Sequence, residues 1–410
     1  MSRLNALLER LYRKQQEIEE GATGISDTNQ RAWLLSKLQP DDSYKGFIYS
    51  ADVAEVTWRV WGIAPSGRVF IGSSHYIRYT DDWGTTESAT ITSDDPLDGN
   101  YITTFRNLVV LDDNSLVVRA ANEGSVFKSN DVYTVFTKVM DGVMDGSGLV
   151  DAGFTRYKNI ILACNYGSGL TNLEIWISKD EGTTWSMIMQ ENPDVGWNHM
   201  HDVVYDPYEN LVWGCSGDDY NGKDSNVNRV WVSGDYGQNW TWFGGLRATQ
   251  IMPLPNCVLF GSDESGRMSV FRYDRPMRGT SLIRESLPAN HAYKKAWWDI
   301  TPPSEYPIKE THVFGVFPGE VDGSAGTWAT NSCIIHGAEP KVLFGWRNVQ
   351  GGYPPTVWGT KDGIRFYPVW KSDDNEGSIQ GVFGPDDNGI IAVGYRKGEQ
   401  EYLVKLTPQA

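Results

Sequence analysis

One short pattern recurs along this chain and limits its possible folds more than any other feature. The pattern reads S/T-x-D-x-G-x-T/S-W: residues Ser178–Trp185 match every fixed position, and Ser233–Trp240 departs only at Asn239. Three weaker copies follow the same order, and the aspartates of all five copies are Asp82, Asp131, Asp180, Asp235 and Asp362. An Asp carboxylate can accept backbone N–H groups across a tight turn, and the glycine permits a positive φ. We therefore predict five similar turns that stabilise a repeated unit.

The segments between these turns have the composition of short strands. The chain contains 17 Trp, 20 Tyr and 43 Gly, which suits many strands joined by tight turns. Apolar runs begin near Val56, Ile102, Val150, His201, Ile251 and Ala296. Their period of about 45–50 residues is that of a four-stranded propeller blade. A last unit near Ile379 stops after three strands, and the segment around Tyr49 is predicted to supply the fourth.

These observations predict an all-β fold, a β-propeller over residues 46–410. Seven blades with an insertion in the sixth are favoured, because more chain lies between Ala296 and Ile379 than one blade needs. Six or eight blades remain alternatives.

The repeated turn resembles the Asp-box, or BNR, repeat of sialidases and related propellers. By spacing, the resemblance extends over most of residues 46–410. It implies a sialidase-like fold in which the boxes lie on the outer side of the ring, away from the central site, so the five aspartates are expected to be structural. Sialidases also carry a Phe-Arg-Ile-Pro motif. The nearest segments, Phe105–Leu108 and Phe271–Asp274, lack Ile-Pro, which disfavours sialidase activity.

The first 45 residues differ from the rest. Four apolar residues fall on heptad a and d positions: Leu4, Leu7, Leu11 and Ile18. They predict an amphipathic helix, and a second short helix is predicted before Pro40. Because an isolated helix of this length is marginal in water, it must dock on another surface. We predict a helical oligomerisation or attachment segment over residues 1–45 and a homo-oligomer, most simply a homotrimer.

One polar constellation predicts a metal site. His199 and His201 stand two residues apart on a predicted inner strand, so strict alternation sends both rings to one side, near the ring axis. The loop that begins at Asp218 is rich in side-chain oxygens. A divalent cation is the candidate cofactor, with His199, His201 and Asp218 as candidate ligands, although two such histidines need a ligand from another blade. The alternative is that the histidines are hydrogen-bonded in a polar channel.

The aromatic residues between Ala296 and Ile379 predict a second kind of site. Aromatic rings stack on the C–H faces of sugars, while Arg and Asn side chains bind the neighbouring hydroxyls. The candidate glycan-binding residues are Trp297, Trp298, Trp346, Arg347, Tyr353 and Trp358. Some of these tryptophans are alternatively part of the blade core.

Charge and cysteine usage exclude several classes of partner. A formal net charge of −16 disfavours nucleic acid and anionic lipid. No run of 18 apolar residues occurs, so no membrane insertion is expected. The 4 cysteines show no CxxC spacing and are predicted to be buried free thiols.

The order of these parts favours one function over two others. A short oligomerising helix, an acidic Trp-rich propeller and no recognisable secretion signal resemble, in organisation, the tail or baseplate receptor-binding proteins of bacteriophages. The resemblance implies a virion protein, assembled in the host cytoplasm, that binds a cell-surface glycan and contacts other tail proteins through its N-terminal helix. A glycoside hydrolase that uses two carboxylates is the alternative, and an intracellular scaffold propeller is the third hypothesis.

Overall fold

The architecture rests on strands distributed over almost the whole length after residue 45. The computed structural model describes residues 46–73, 76–92, 105–120, 125–130, 133, 135–141, 153–165, 173–191, 199–217, 229–244, 248–262, 269–275, 313–316, 332–336, 339–345, 354–363, 366–373 and 377–409. The two helices predicted within residues 1–45 lie outside these residues and stay predictions. Within the described ranges no helix is long and apolar enough to cross a membrane.

The described residues form 28 strands in seven antiparallel sheets of four, which we call blades one to seven. Blades one to three consist of β2 Arg59–Ile63, β3 Val69–Gly72, β4 Tyr76–Thr80 and β5 Ile91–Thr92; β6 Phe105–Val110, β7 Leu116–Ala120, β8 Val126–Ser129 and β9 Phe136–Met140; and β10 Phe154–Tyr157, β11 Ile160–Cys164, β12 Leu173–Ser178 and β13 Ser186–Glu191. Blades four to six consist of β14 His199–Asp206, β15 Leu211–Gly217, β16 Arg229–Ser233 and β17 Thr241–Gly244; β18 Ala248–Pro253, β19 Cys257–Ser262, β20 Ser269–Asp274 and β21 Val313–Val316; and β22 Cys333–Ile335, β23 Lys341–Phe344, β24 Thr356–Thr360 and β25 Tyr367–Lys371. Blade seven consists of β26 Ser378–Phe383, β27 Ile391–Lys397, β28 Gln400–Pro408 and β1 Tyr49–Val56.

The hydrophobic core lies between the blades. Side chains alternate between the two faces of a strand, so each blade can pack against both neighbours. In β7, for example, Val117 packs towards blade three and Val118 towards blade one. One apolar cluster lies between each pair of neighbouring blades, including blades seven and one. The sheets therefore close into a ring, and the prediction of an all-β, seven-bladed propeller is confirmed.

The ring is closed by the two ends of the propeller. β1 pairs with β28 from Tyr49 opposite Pro408 to Val56 opposite Glu401, and it forms the outermost strand of blade seven. This pairing confirms the prediction that the segment around Tyr49 supplies the missing strand. The observed strand continues seven residues beyond Tyr49, to Val56.

The extra chain belongs to a different blade from the one predicted. A blade was expected to begin near Ala296, a residue that lies outside the described ranges. However, β21 pairs with β20, so blade five continues beyond position 296, and blade six begins only with β22. The long connection therefore joins the third and fourth strands of blade five. The prediction was wrong because it assumed a constant period, whereas lengthening a surface connection costs little free energy and leaves the pairing intact.

Four of the five predicted turn aspartates lie in the described residues: Asp82, Asp180, Asp235 and Asp362. Asp131 lies outside them. Each of the four turns, which we call the Asp turns, joins the third strand of its blade to the fourth. The Asp turns of blades one, three and four have the same hydrogen bonds, whereas at Asp362 the carboxylate accepts the Thr360 hydroxyl at the longer distance of 3.3 Å.

The Asp turn of blade three shows how the motif works. Asp180 Oδ1 accepts the Thr184 N–H at 2.8 Å and the Ser178 hydroxyl at 2.8 Å, and Oδ2 accepts the Thr184 hydroxyl at 2.6 Å. Burial raises the pKa of Asp180, but these bonds outweigh it and the pKa is lowered. Gly182 has φ +81, and a Cβ there would lie 2.8 Å from Val117 Cγ2 of blade two. The turn therefore needs a glycine both for its conformation and for docking on the neighbouring blade.

The tryptophans of two Asp turns pack against the core. Trp185 packs against the core between blades two and three, and Trp240 against the core between blades three and four. The four cysteines are buried and form no disulfide bond, as predicted. Burial raises the pKa of Cys333 to about 12, so its thiol stays protonated at neutral pH.

Candidate functional site

A channel runs along the ring axis, between the first strands of the blades. Its cavity of about 240 Å³ is lined by residues from all seven of these inner strands. Polar and apolar groups contribute nearly equal shares of the exposed lining, and the buried polar side chains in it include Asn107, Asp202 and Gln250. A cavity in which a few polar groups converge is a common form of ligand site.

β-Bulges in the inner strands determine which polar side chains face the channel. Five of the seven described inner strands carry a β-bulge near their start. The extra residues at the bulges are Trp61, Arg106, His201, Thr249 and Gln380. A bulge interrupts alternation and re-aims the next side chain. Asn107, Asp202 and Gln250 each follow a bulge and line the channel.

His199 and His201 lie on the inner strand of blade four, as predicted. The prediction that strand alternation sends both rings to the same side does not hold. His201 is itself the bulged residue of β14, so His199 and His201 are not related by simple alternation. His201 is buried, and its Nδ1 donates to the Ala248 carbonyl oxygen of blade five at 2.7 Å. It is Asp202 that lines the channel at this level. The side chain of His199 and the whole of Asp218 lie outside the described residues.

No metal centre is formed by the residues whose side chains are described: among them, no three His, Cys, Asp or Glu side chains lie close enough to hold an ion. The cation site at His199, His201 and Asp218 therefore stays a prediction.

Asp202 ties three blades together at the channel wall. Its Oδ1 accepts the N–H of Val203 at 2.9 Å and that of Gly153 in blade three at 3.3 Å. Its Oδ2 accepts the N–H of Ile251 in blade five at 2.9 Å. Burial raises the pKa of Asp202 to about 6, although the three N–H groups act in the opposite direction. The carboxyl group therefore changes its charge just below neutral pH.

A second cavity, of about 460 Å³, adjoins one end of the channel. It is lined by Asp112, Arg156, Tyr157, Lys158 and His336, three of which also line the channel. We call these five residues the channel mouth. They come from connections and strand ends of blades two, three and six.

The channel mouth opens on the face of the ring that carries the Asp turns. The hairpin between β10 and β11 contacts the Asp turn of its own blade: Asn159 Nδ2 donates to the Lys179 carbonyl at 2.6 Å, and the Glu181 N–H donates to the Asn159 carbonyl at 3.0 Å. The resemblance to Asp-box propellers implied turns away from the central site. Here the turns stand further from the axis than the channel mouth, but on the same face.

Aromatic rings build one wall of the channel mouth. The Tyr157 and His336 rings meet edge to face with centroids 4.8 Å apart. The Tyr208 hydroxyl oxygen lies 3.2 Å from His336 Nδ1, and the Tyr205 ring lies 5.5 Å from that of Tyr157. Burial raises the pKa of Tyr208 to about 12, so its phenol stays neutral. Burial also lowers the pKa of His336 to about 4.

The base of this wall is a buried ion pair. Asp206 and Arg275 form a salt bridge in which their side chains are 0% and 3% exposed. Arg275 also reaches Glu209 at 3.0 Å, and Asp206 Oδ2 accepts the Trp213 indole N–H at 3.2 Å. Because two charges removed from water must be well compensated, this cluster fixes the position of the segment that carries Tyr208.

The polar side of the channel mouth carries charges of both signs. Arg156 Nη2 lies 2.9 Å from Asp112 Oδ1. Lys158 is exposed, with its Nζ 5.4 Å from the centroid of the Tyr157 ring. Lys158 has φ +53, a conformation that L residues with a Cβ adopt at some cost. The hairpin is thus held in a sparsely populated conformation beside the cavity.

The residues predicted to bind glycan are mostly not described. Trp358 lies in β24, is partly buried and packs against the core between blades five and six. Trp297, Trp298, Trp346, Arg347 and Tyr353 lie outside the described ranges. The first two fall between β20 and β21 and the others between β23 and β24. β20 ends at the same end of its sheet as the Asp turns, and β23 ends at the opposite end. These residues stay predictions.

The sequence reasoning missed the channel mouth. Tyr205 and Asp206 lie on the same strand as the predicted histidine pair, which was the available signal, and Tyr208 lies two residues after that strand ends. His336 is a single histidine far away in sequence, and only ring closure brings it to Tyr157 and Tyr208.

The comparisons with known proteins agree with this architecture. No family profile and no curated protein matches the chain. Among solved structures, the WD40 repeats of RRP9 match with a TM-score of 0.54 and 9% identity, covering 87% of this chain and 99% of that one. YCF48 from Cyanidioschyzon merolae matches with a TM-score of 0.50 and 12% identity, covering 88% of this chain and 100% of that one. At these identities the likeness shows the fold alone, and the chain is a seven-bladed β-propeller.

Proposed function

We propose that this chain is a carbohydrate-binding propeller of a bacteriophage tail or baseplate, which attaches the virion to glycans on the host cell surface. The observation that carries the binding role is the channel mouth, where aromatic rings border a cavity that also contains a carboxylate and a guanidinium group. The glycan is proposed to bind there rather than at the Asp turns.

The chemistry of the channel mouth suits a sugar. An exposed aromatic edge or face gives a sugar ring an apolar contact, and Tyr157 and His336 offer both. Asp112 is largely exposed and is held 2.9 Å from Arg156, so its carboxylate offers fixed acceptors for sugar hydroxyl groups. The cavity is large enough for one or two sugar units.

The virion assignment has separate support. The turn pattern resembles the Asp-box repeat, and the three well-formed Asp turns have the hydrogen bonds that such a repeat requires. The heptad stripe of residues 1–45 suits docking on other tail proteins, and four cysteines without disulfide bonds suit assembly in a reducing host cytoplasm. These features support attachment without identifying the receptor.

A glycan-array experiment tests the binding role. The full-length protein is compared with Tyr157→Ala and with Tyr76→Ala, a control that removes an exposed tyrosine from blade one. We expect Tyr157→Ala to weaken binding about tenfold or more, since aromatic anchors dominate such sites, and Tyr76→Ala to leave it unchanged. Equal affinity in wild type and Tyr157→Ala contradicts the assignment. Trp298→Ala and Trp346→Ala then test the residues predicted from sequence.

A glycoside hydrolase is the second candidate, and Asp202 is the observation that favours it. A buried channel carboxyl group with a pKa of about 6 has the property of a general acid. A panel of aryl glycosides tests this function. We expect no turnover from an attachment protein, whereas hydrolysis that is lost in Asp202→Asn while the fold is retained favours the enzyme.

A further inference from the structure

The two ring nitrogens of His336 have different surroundings at the channel mouth. Its ring lies between Tyr157 and Tyr208 and is partly exposed to the cavity. Nδ1 faces the Tyr208 hydroxyl at 3.2 Å. Nε2 has no hydrogen-bond partner among the described residues, and it is not one of the fully buried unpaired atoms.

The direction of the bond between these two residues follows from their chemistry. The phenol is neutral, so it has one proton to donate, and no other described group accepts it. An unprotonated imidazole nitrogen is a stronger acceptor than a phenol oxygen. The Tyr208 hydroxyl therefore donates to His336 Nδ1. In a neutral imidazole ring with an unprotonated Nδ1, the proton is on Nε2. Nε2 is also the nitrogen that is available to a ligand in the cavity.

We propose that His336 is a ligand-binding residue whose Nε2–H donates to an oxygen of the bound sugar, and that Tyr208 is a positioning residue that fixes this tautomer. The proposal rests on the proposed sugar-binding function and names the donor and the kind of ligand atom that it requires. A ring hydroxyl oxygen, a ring oxygen or an acetamido carbonyl satisfies the requirement.

The surrounding charges keep His336 neutral. Burial and Lys158 disfavour the protonated ring, while Asp206 favours it. Asp206 is neutralised by Arg275, Asp112 is paired with Arg156, and the raised pKa of Tyr208 keeps its phenol uncharged near neutral pH. Because the pKa of His336 is lowered to about 4, its donor stays the same between pH 5 and 8. Affinity for a sugar is therefore expected to be flat over this range.

Nitrogen-15 NMR of the full-length protein tests the tautomer without any ligand. We expect wild-type His336 to show a protonated Nε2 and an unprotonated Nδ1 at pH 7. Tyr208→Phe removes the only described donor to Nδ1 and is expected to give a mixture of both tautomers. Tyr236→Phe is the matched control, because it removes a hydroxyl that contacts Tyr205 and not His336. A protonated Nδ1 in the wild type overturns the proposal, whether or not Tyr208→Phe folds.

Titration with methyl glycosides of glucose, galactose and N-acetylglucosamine tests the donor role. We expect at least one of them to shift the His336 Nε2–H signal together with those of Tyr157. His336→Leu is expected to weaken binding about five- to tenfold, since one hydrogen bond is lost, and His336→Gln, which keeps a donor near Nε2, to recover most of it.

The outcomes separate the two proposals. If a glycoside shifts Tyr157 but leaves the His336 Nε2–H unchanged, or if His336→Leu and wild type bind equally, the inference fails while sugar binding stands. If the wild type has the expected tautomer but no glycoside shifts any residue of the channel mouth, and the array is also negative, sugar binding fails, and the donor role fails with it.

Discussion

The Asp turns and the channel mouth lie on the same face of the ring but are built in opposite ways. The well-formed Asp turns at Asp82, Asp180 and Asp235 repeat the same hydrogen bonds with nearly the same distances, and every partner lies within four residues of the aspartate. The channel mouth has no repeat. Its residues come from three blades and extend from Asp112 to His336.

This difference separates structure from function. A group that recurs in several blades with all its bonds satisfied locally does the same structural task each time. A group that occurs once, at a place where several blades converge, is under no such constraint and can be specialised for a ligand. The following predictions test that division, beginning with the largest expected effect.

Removing the base of the channel mouth is expected to destabilise the protein most. Asp206→Ala removes the fully buried carboxylate that pairs with Arg275 and accepts the Trp213 indole N–H, so that Glu209 is the remaining carboxylate of the Arg275 ion pairs. Breaking a buried ion pair costs about 3–5 kcal/mol of unfolding free energy. Chemical denaturation measures the loss, and the double variant Asp206→Leu, Arg275→Met, which removes both members of the most deeply buried ion pair, is expected to recover part of it. A loss below about 1 kcal/mol contradicts the prediction, because that is the size of a surface effect.

The channel and the Asp turns are expected to respond to pH with opposite signs. The pKa of Asp202 in the folded state is about 6, above its ordinary value of 3.8, so the folded protein binds a proton more tightly than the unfolded chain. Its stabilising contribution is complete below pH 4 and is lost as pH rises through 6. A shift of about two units corresponds to about 3 kcal/mol.

Denaturation of wild type and Asp202→Asn at several pH values isolates this group. The difference in unfolding free energy, wild type minus variant, is expected to fall by about 2–3 kcal/mol from pH 4 to pH 7. At Asp180 the pKa is lowered, so its contribution is instead lost as pH falls below 4. A wild-type advantage that grows from pH 4 to pH 7 means that the three N–H bonds outweigh burial at Asp202.

Most of the fold could be predicted from sequence because it depends on local chemistry. The described aspartates mark the connection between the third and fourth strands, and at Asp180 and Asp235 the carboxylate accepts a backbone N–H only four residues away. The closing strand could be predicted because an incomplete last blade needs a partner. The place of the insertion could not, because connection length has no effect on strand pairing.

The site could be predicted only in part, and for a physical reason. The strand that carries the histidine pair was predicted to lie near the axis, and it does contain Asp202 and Tyr205, which line the channel. Which of its side chains reach the channel is decided by the bulge at His201, and a single extra residue leaves no periodic signal. The pairing of Tyr208 with His336 depends on ring closure over more than a hundred residues.

An Asp turn is expected to matter for stability and not for ligand binding. Asp180→Ala removes the acceptor of the Thr184 N–H and of two hydroxyl groups, of which that of Thr184 is exposed and that of Ser178 is buried. We expect a loss of about 1–2 kcal/mol, because water replaces part of the bonding. Thermal unfolding measures the loss, and the glycan array measures binding at a temperature at which the variant is folded. Weakened binding without a loss of stability contradicts the division between the two regions.

The smallest effect is expected where an Asp turn departs from the pattern. In blade one, Glu87 stands in place of tryptophan and accepts the Thr57 N–H at 3.0 Å and an Arg78 N–H at 2.9 Å. Glu87→Gln keeps an acceptor for Thr57 and loses only the ion pair, so a loss below about 1 kcal/mol is expected in denaturant unfolding. Glu87→Trp restores the pattern but removes both contacts, and it is expected to be less stable than Glu87→Gln. If Glu87→Trp is instead more stable than wild type, the prediction is contradicted. In that case the two hydrogen bonds of Glu87 stabilise this turn less than a packed indole does.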